Sequence, residues 1–340
     1  MKGNDLPNPR ETVALYKSQG INRMRIYQPD RQVLQALRGS NIELTLGVRN
    51  EDLQRLTNIA AATTWVQRNV LNYFPDVKIK YVAVGNEVTP VNQNSRYAPF
   101  VVPAMTNIYN AIMAAGLWGQ VQVSTSIDTG VMGTSYPPSA GSFRSDVLWF
   151  MNPVLGFLSD TQANLLVSVY PYFSRVYEPQ YISLPYALFT KTSPEFIDPG
   201  NNLPYYNLFD AQIDALHSAM ERVLGTSYGA MFNDPYLASR VAAKKTPRTT
   251  VSETGWPKAG GRQPKNGLLG VDETIDNACT YYQNVIRHVK NGTPKVPGVP
   301  IETYLFAMFN ENQKTPPGIE QNFGLFYPNK TPACTINFRE

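Results

Sequence analysis

Only two cysteines, Cys279 and Cys334, and two histidines, His217 and His288, occur in 340 residues. No pair among them has metal-ligand spacing, which argues against a metal centre, and no Ser/His/Asp or Cys/His constellation offers a nucleophile. Glycine-rich phosphate loops of the usual spacings are missing, so no cofactor is implied. Apolar runs stop well short of the ~18 residues of a membrane-spanning helix. A net charge of +4, scattered along the chain, is too weak to argue for nucleic acid. The opening residues, Met1-Lys2-Gly3-Asn4-Asp5-Leu6-Pro7, contain no apolar targeting segment.

What is present is a large core and many aromatic loops. Hydrophobic residues make up 43% and charged residues 16%, as in a globular enzyme, and no composition break divides residues 1–340 into more than one domain. The 20 tyrosines and 27 prolines predict long, rigid, aromatic-lined loops. Asn8 followed by Pro9 reads as an N-cap with proline at the first helical position, and Gly20 ends that helix. Strands are predicted at 21–27, 42–48, 80–86, 121–127, 165–170, 249–254 and 303–309, with helices at 31–37, 63–73, 104–115, 147–158, 209–224 and 274–290 between them. Residues 171–206 show no period and read as one long loop. Such alternation forces parallel strands and right-handed crossovers, leaving a barrel or an open doubly wound sheet. The longest loops follow strands, which favours the barrel, one strand short of eight.

Two strand ends carry glutamates. In Thr249-Thr250-Val251-Ser252-Glu253-Thr254-Gly255-Trp256-Pro257 a β-branched run leads into a carboxylate, a glycine, an indole and a proline. Lys80-Tyr81-Val82-Ala83-Val84-Gly85-Asn86-Glu87-Val88 has the same form, with an amide before the acid. A carboxylate where strand meets loop sits between core and solvent, where its pKa can be tuned. Glycoside hydrolysis needs two such groups: one protonates the leaving oxygen, the other attacks the sugar or activates water.

Five segments in order, 82–88, 124–131, Tyr170-Pro171-Tyr172-Phe173, 251–257 and 306–314, resemble the plant endo-β-1,3-glucanases of glycoside hydrolase family 17. The resemblance spans nearly the whole chain. It implies a (β/α)8 TIM-type barrel, retention of anomeric configuration, no metal, and a monomer hydrolysing β-glucan polysaccharide from within. Carried over by residue, Glu253 becomes the nucleophile and Glu87 the general acid/base, with Glu311, Lys314 and Glu320 as a supporting polar network. Tyr27, Asn86, Tyr170, Phe173 and Trp256 are expected to line the sugar site. Secretion to the cell wall or vacuole is also implied.

The chain departs from the family pattern in three places. It begins just beyond the family's first strand, so the strand missing from the eight is the first. The segment 226–248 is longer than the usual link to the Glu253 strand, and Ser168 stands where asparagine is common. A glucan-binding protein without turnover and a hydrolase of mixed-linkage glucan therefore stay open as alternatives. Cys279 falls on the apolar stripe Ile275, Ala278, Cys279, Tyr282, Ile286, Val289, predicting a core position on a helix, and a disulfide with Cys334 is left open. Asn291-Gly292-Thr293 and Asn329-Lys330-Thr331 match glycosylation acceptors.

Overall fold

The computed structural model describes residues 2–229, 245–261, 272–316 and 318–338; residues 230–244 of the long link before the Glu253 strand lie outside them. Among the described residues seven strands form one sheet whose order follows the chain: β1 (Arg23–Ile26), β2 (Glu43–Val48), β3 (Lys78–Asn86), β4 (Gln122–Asp128), β5 (Leu165–Ser168), β6 (Thr249–Thr254) and β7 (Thr303–Leu305). Pairing from β1 through β5 is parallel. The principal helices are α1 (Pro9–Ser18), α2 (Arg31–Leu37), α3 (Ile59–Val66), α4 (Ala98–Ala114), α5 (Leu148–Thr161), α6 (Pro171–Tyr177), α7 (Leu208–Gly229) and α8 (Ile275–His288).

Local sequence explains where these elements start. At α1, Asn8 Oδ1 accepts from the Glu11 backbone N–H at 3.0 Å, and Pro9 fills the first helical position, where no N–H is needed. Asp30 caps α2 and Thr274 caps α8 in the same way.

Two compact units are distinguishable. One comprises Asn22–Ser168 and Ala211–Ser252, the other Met1–Ile21, Val169–Asp210 and Glu253–Glu340. In the first, Tyr81, Ala83 and Leu166 form an apolar cluster. Polar groups buried nearby satisfy one another, as buried groups must. Ser126 Oγ lies 2.8 Å from Ser252 Oγ, and Asn164 Nδ2 donates to Tyr81 Oη and Thr250 Oγ1 at 3.1 and 3.0 Å. Gly47 is required there because a Cβ would stand 2.5 Å from the Tyr27 carbonyl group.

In the second unit, the Trp256, Tyr172, Tyr281 and Tyr282 rings pack together behind the end of β6. Gly255 lets β6 leave the sheet against the next strand, since a Cβ would meet Phe306 O at 2.2 Å. The last strand is shorter than the predicted 303–309. Past Leu305 the chain leaves the ladder, with the Phe306 N–H on Thr254 O and its carbonyl accepting from Tyr282 Oη at 2.6 Å. Nor is 171–206 without structure: it contains α6, the helix Leu184–Ala187, and a ribbon pairing Phe196–Ile197 with Pro204–Tyr205. Several of its aromatic residues make packing contacts, such as Phe196 on Tyr205 at 5.2 Å.

Cys279 corrects the expectation of a core thiol. It is half-buried and bonded to Cys334, with a Cα–Cα distance of 5.6 Å, so α8 presents it to the tail rather than to the core.

Candidate active site

Within the first unit the end of β3 carries Asn86 and Glu87. Glu87 adopts φ +48°, a region bulky residues rarely enter, two residues after Gly85 at φ +86°. Its backbone is held on both sides. The Glu87 N–H donates to Ser126 O at 2.8 Å, and its carbonyl accepts from Asn92 Nδ2 at 2.7 Å and Asn94 Nδ2 at 3.0 Å. Asn92 is fixed in turn by Asp128 Oδ2 at 2.5 Å, while Asn50 donates to and accepts from the Asn86 backbone at 3.0 and 2.8 Å. A strained residue so over-determined is the pattern found at functional positions.

Arg25, on β1, links this strand end to another. Its guanidinium donates to Asn86 Oδ1 at 2.5 Å and to Ser252 O at 2.7 Å, and lies 4.6 Å from the Tyr27 ring centroid. These acceptors belong to the residues immediately before Glu87 and Glu253. Asn86, expected to meet a sugar, therefore has its amide oxygen committed to an arginine.

Within the second unit Glu253 is buried, only 7% exposed, and its Oε2 accepts from Tyr170 Oη at 2.9 Å. Tyr170 packs edge-on against Phe173, Phe306 and Phe323. The Lys314 ammonium sits 4.0 Å over Phe306, 3.3 Å from Glu320 Oε2 and 3.8 Å from buried Glu311 Oε2. Glu311 Oε1 also accepts from the Lys2 N–H at 2.5 Å. The fold thus gathers Glu253, Tyr170 and Phe173 around one carboxylate, and Glu311, Lys314 and Glu320 around one cation.

Trp256 does not join them. Its side chain is fully buried, with Nε1 donating to Asp272 O at 2.8 Å, so it braces the strand exit from behind and has no face for a sugar. Around it, burial raises the pKa of Tyr172, aided by its hydrogen bond to Glu273, so this tyrosine stays protonated. Burial likewise raises Asp272, against the pull of Arg175 at 3.1 Å. Burial lowers Lys258 to about 8. Its ammonium donates to Asn310 Oδ1 at 2.9 Å and to Gly324 O.

Sequence reading missed Arg25, Asn50, Asn92 and Asp128. For Arg25 a signal existed: Arg23, Arg25 and Tyr27 alternate with Met24 and Ile26, placing a cation on one face of a strand.

A family model described as glycosyl hydrolases family 17 matches residues 1–338. The chain is 49% identical over 339 residues to the basic isoform 1 of glucan endo-1,3-beta-glucosidase from Solanum tuberosum, covering 99% of this chain and 91% of that protein. To the basic vacuolar isoform GLB from Nicotiana tabacum it is 48% identical over 339 residues, covering 99% and 83%. The structure of CJP38, a beta-1,3-glucanase and allergen of Cryptomeria japonica pollen, matches with a TM-score of 0.87 at 40% identity, covering 99% of this chain and 97% of that one. The fold class is accordingly that of the (β/α)8 barrels, as the resemblance implies, with seven strands in one sheet among the described residues.

Proposed function

Because the chain belongs to glycosyl hydrolases family 17, we propose that it cleaves β-1,3-glucan chains internally, by double displacement on two glutamates. The observation carrying this reading is that Glu87 and Glu253 each end a strand and each has its own fixed scaffold.

In the first step the Glu253 carboxylate attacks the anomeric carbon while Glu87 gives its proton to the departing glycosidic oxygen. The carbon–oxygen bond to the leaving chain breaks as the bond to Glu253 forms. In the second, water attacks that ester, Glu87 takes the water's proton, and Glu253 departs as carboxylate. The Tyr170 hydroxyl donates to Glu253 Oε2 at 2.9 Å and so fixes the plane of the attacking carboxylate. Lys314, between Glu311 and Glu320, supplies the balancing positive charge on that side. Asn86 has its Nδ2 to offer a sugar hydroxyl, and Tyr27, Tyr170 and Phe173 offer ring surface to the apolar faces of glucose. The protein acts in the vacuole or outside the cell, in keeping with its basic relatives.

Reducing-end release from laminarin, a soluble β-1,3-glucan, tests the reading with the parent, Glu253→Gln and Glu87→Gln. Turnover in the parent and its loss in both folded variants is expected. Full activity in either variant overturns the assignment. Faster turnover of mixed-linkage glucan overturns the substrate.

A further inference from the structure

The helix α6 and the turn after it leave unusual side chains in water. One face of α6 is buried through Pro171, Tyr172 and Arg175. The other begins beside Glu253 and runs outward. Tyr170 hydrogen-bonds that carboxylate, Phe173 packs on Tyr170 at 5.3 Å, and Tyr177 stacks on Phe173 at 6.3 Å with an interplanar angle of 21°. Exposure then rises to 75% at Tyr177 and 77% at Tyr181. Large rings so exposed, four residues apart in the chain and reached through the Phe173–Tyr177 stack from the Glu253 carboxylate, mark a binding surface more than an accident of packing.

The backbone under these rings is fixed. Arg175, 6% exposed, donates through Nη1 to Pro179 O at 2.7 Å and Ile182 O at 2.9 Å, while its Nε lies 3.1 Å from Asp272 Oδ2. The Tyr181 and Ile182 N–H groups both donate to Glu178 O at 3.0 Å. A buried guanidinium thus immobilises a turn that presents a tyrosine to solvent, and such preorganisation lowers the entropy cost of binding.

From this we infer that Tyr177 and Tyr181 form an outer platform that holds the β-glucan chain beyond the sugar units at the reacting bond. The inference rests on the glucanase reading above and extends it to chain length. A neutral polymer whose sugar rings carry apolar faces matches rings reached through Phe173 from the Glu253 carboxylate. Binding so far from the chemistry acts equally on ground and transition states, and so lowers KM for long chains without raising kcat.

The test compares laminarin with the shortest laminari-oligosaccharide the protein cleaves, using the parent, Tyr177→Ala, Tyr181→Ala, the double variant and Tyr177→Phe. The double variant is expected to raise KM for laminarin about tenfold, with kcat and the KM of the short substrate unchanged. Tyr177→Phe, which keeps the ring, should match the parent. Equal losses on both substrates, no loss on laminarin, or a loss in Tyr177→Phe as large as in Tyr177→Ala overturns the platform. So does a parent oligomer that the substitutions dissociate, since the rings would then contact a second copy. Should the parent release no reducing ends from either substrate, the glucanase reading fails by itself. Electrophoresis through laminarin-containing gels then decides the platform: retardation of the parent but not the double variant supports it, and equal mobility overturns it.

Discussion

Replacing Arg25 by methionine removes a cation that holds two strand ends at once. Its hydrogen bonds to Asn86 Oδ1 and Ser252 O, at 2.5 and 2.7 Å, are charge-assisted and each worth roughly 1.5–3 kcal/mol. Water will resolvate part of each acceptor, so a stability loss of about 2–4 kcal/mol is expected. The larger effect falls on turnover. Asn86 and Ser252 precede the two glutamates, and misplacement by about 1 Å can cost a reaction about 100-fold. Arg25→Met should therefore lower kcat on laminarin about 100-fold while KM changes little. Arg25→Lys should fall between, because one ammonium lacks the planar fork that serves both acceptors. Initial rates across laminarin concentrations, beside urea unfolding at a temperature where every variant is folded, separate the two effects. A folded Arg25→Met protein with parental kcat, or one altered only in KM, refutes positioning and leaves Arg25 a brace of the fold.

Tyr170→Phe keeps the ring contacts but removes the hydrogen bond to Glu253; kcat should drop about 10- to 100-fold with unchanged Tm, read by the same rate assay. The Cys279–Cys334 bond closes a sequence separation of 55 residues, so Cys334→Ser should lose about 2–4 kcal/mol in urea unfolding. Lys258 has a folded pKa of about 8, below its value in the unfolded chain, so between the two the unfolded state holds the extra proton and stability rises with pH. Relative to Lys258→Met, the parent should gain about 2 kcal/mol between pH 7 and 9.5, measured by urea unfolding. A constant difference across that range would place the ammonium in a better-solvated setting than its burial implies.

The alternation of strands and helices was legible because its signals are local: β-branched runs, the cap Asn8 before Pro9, and helical apolar stripes. The placement of Glu87 and Glu253 at strand ends was legible for a similar reason, each being an acid at the end of an apolar run. Arg25 was not singled out, because its two acceptors lie 61 and 227 residues away and only the assembled sheet brings them to it. Trp256 was misassigned since adjacency to a candidate catalytic carboxylate says nothing about which way a side chain turns. The indole turns inward, with Nε1 donating to Asp272 O. The length of the 171–206 segment was plain, but its ribbon has strands of only two residues each, Phe196–Ile197 and Pro204–Tyr205, too short to show a period in the sequence.

The backbone at Glu87 sets this molecule against itself under one kind of selection. Left-handed geometry costs a side-chain-bearing residue about 1–2 kcal/mol that glycine escapes, and asparagine tolerates it better than glutamate. A library propagated for thermal endurance alone will therefore drift to glycine or asparagine at position 87, accumulating robust proteins that have discarded the acid proposed above. Any programme to harden this scaffold has to screen for turnover in every round.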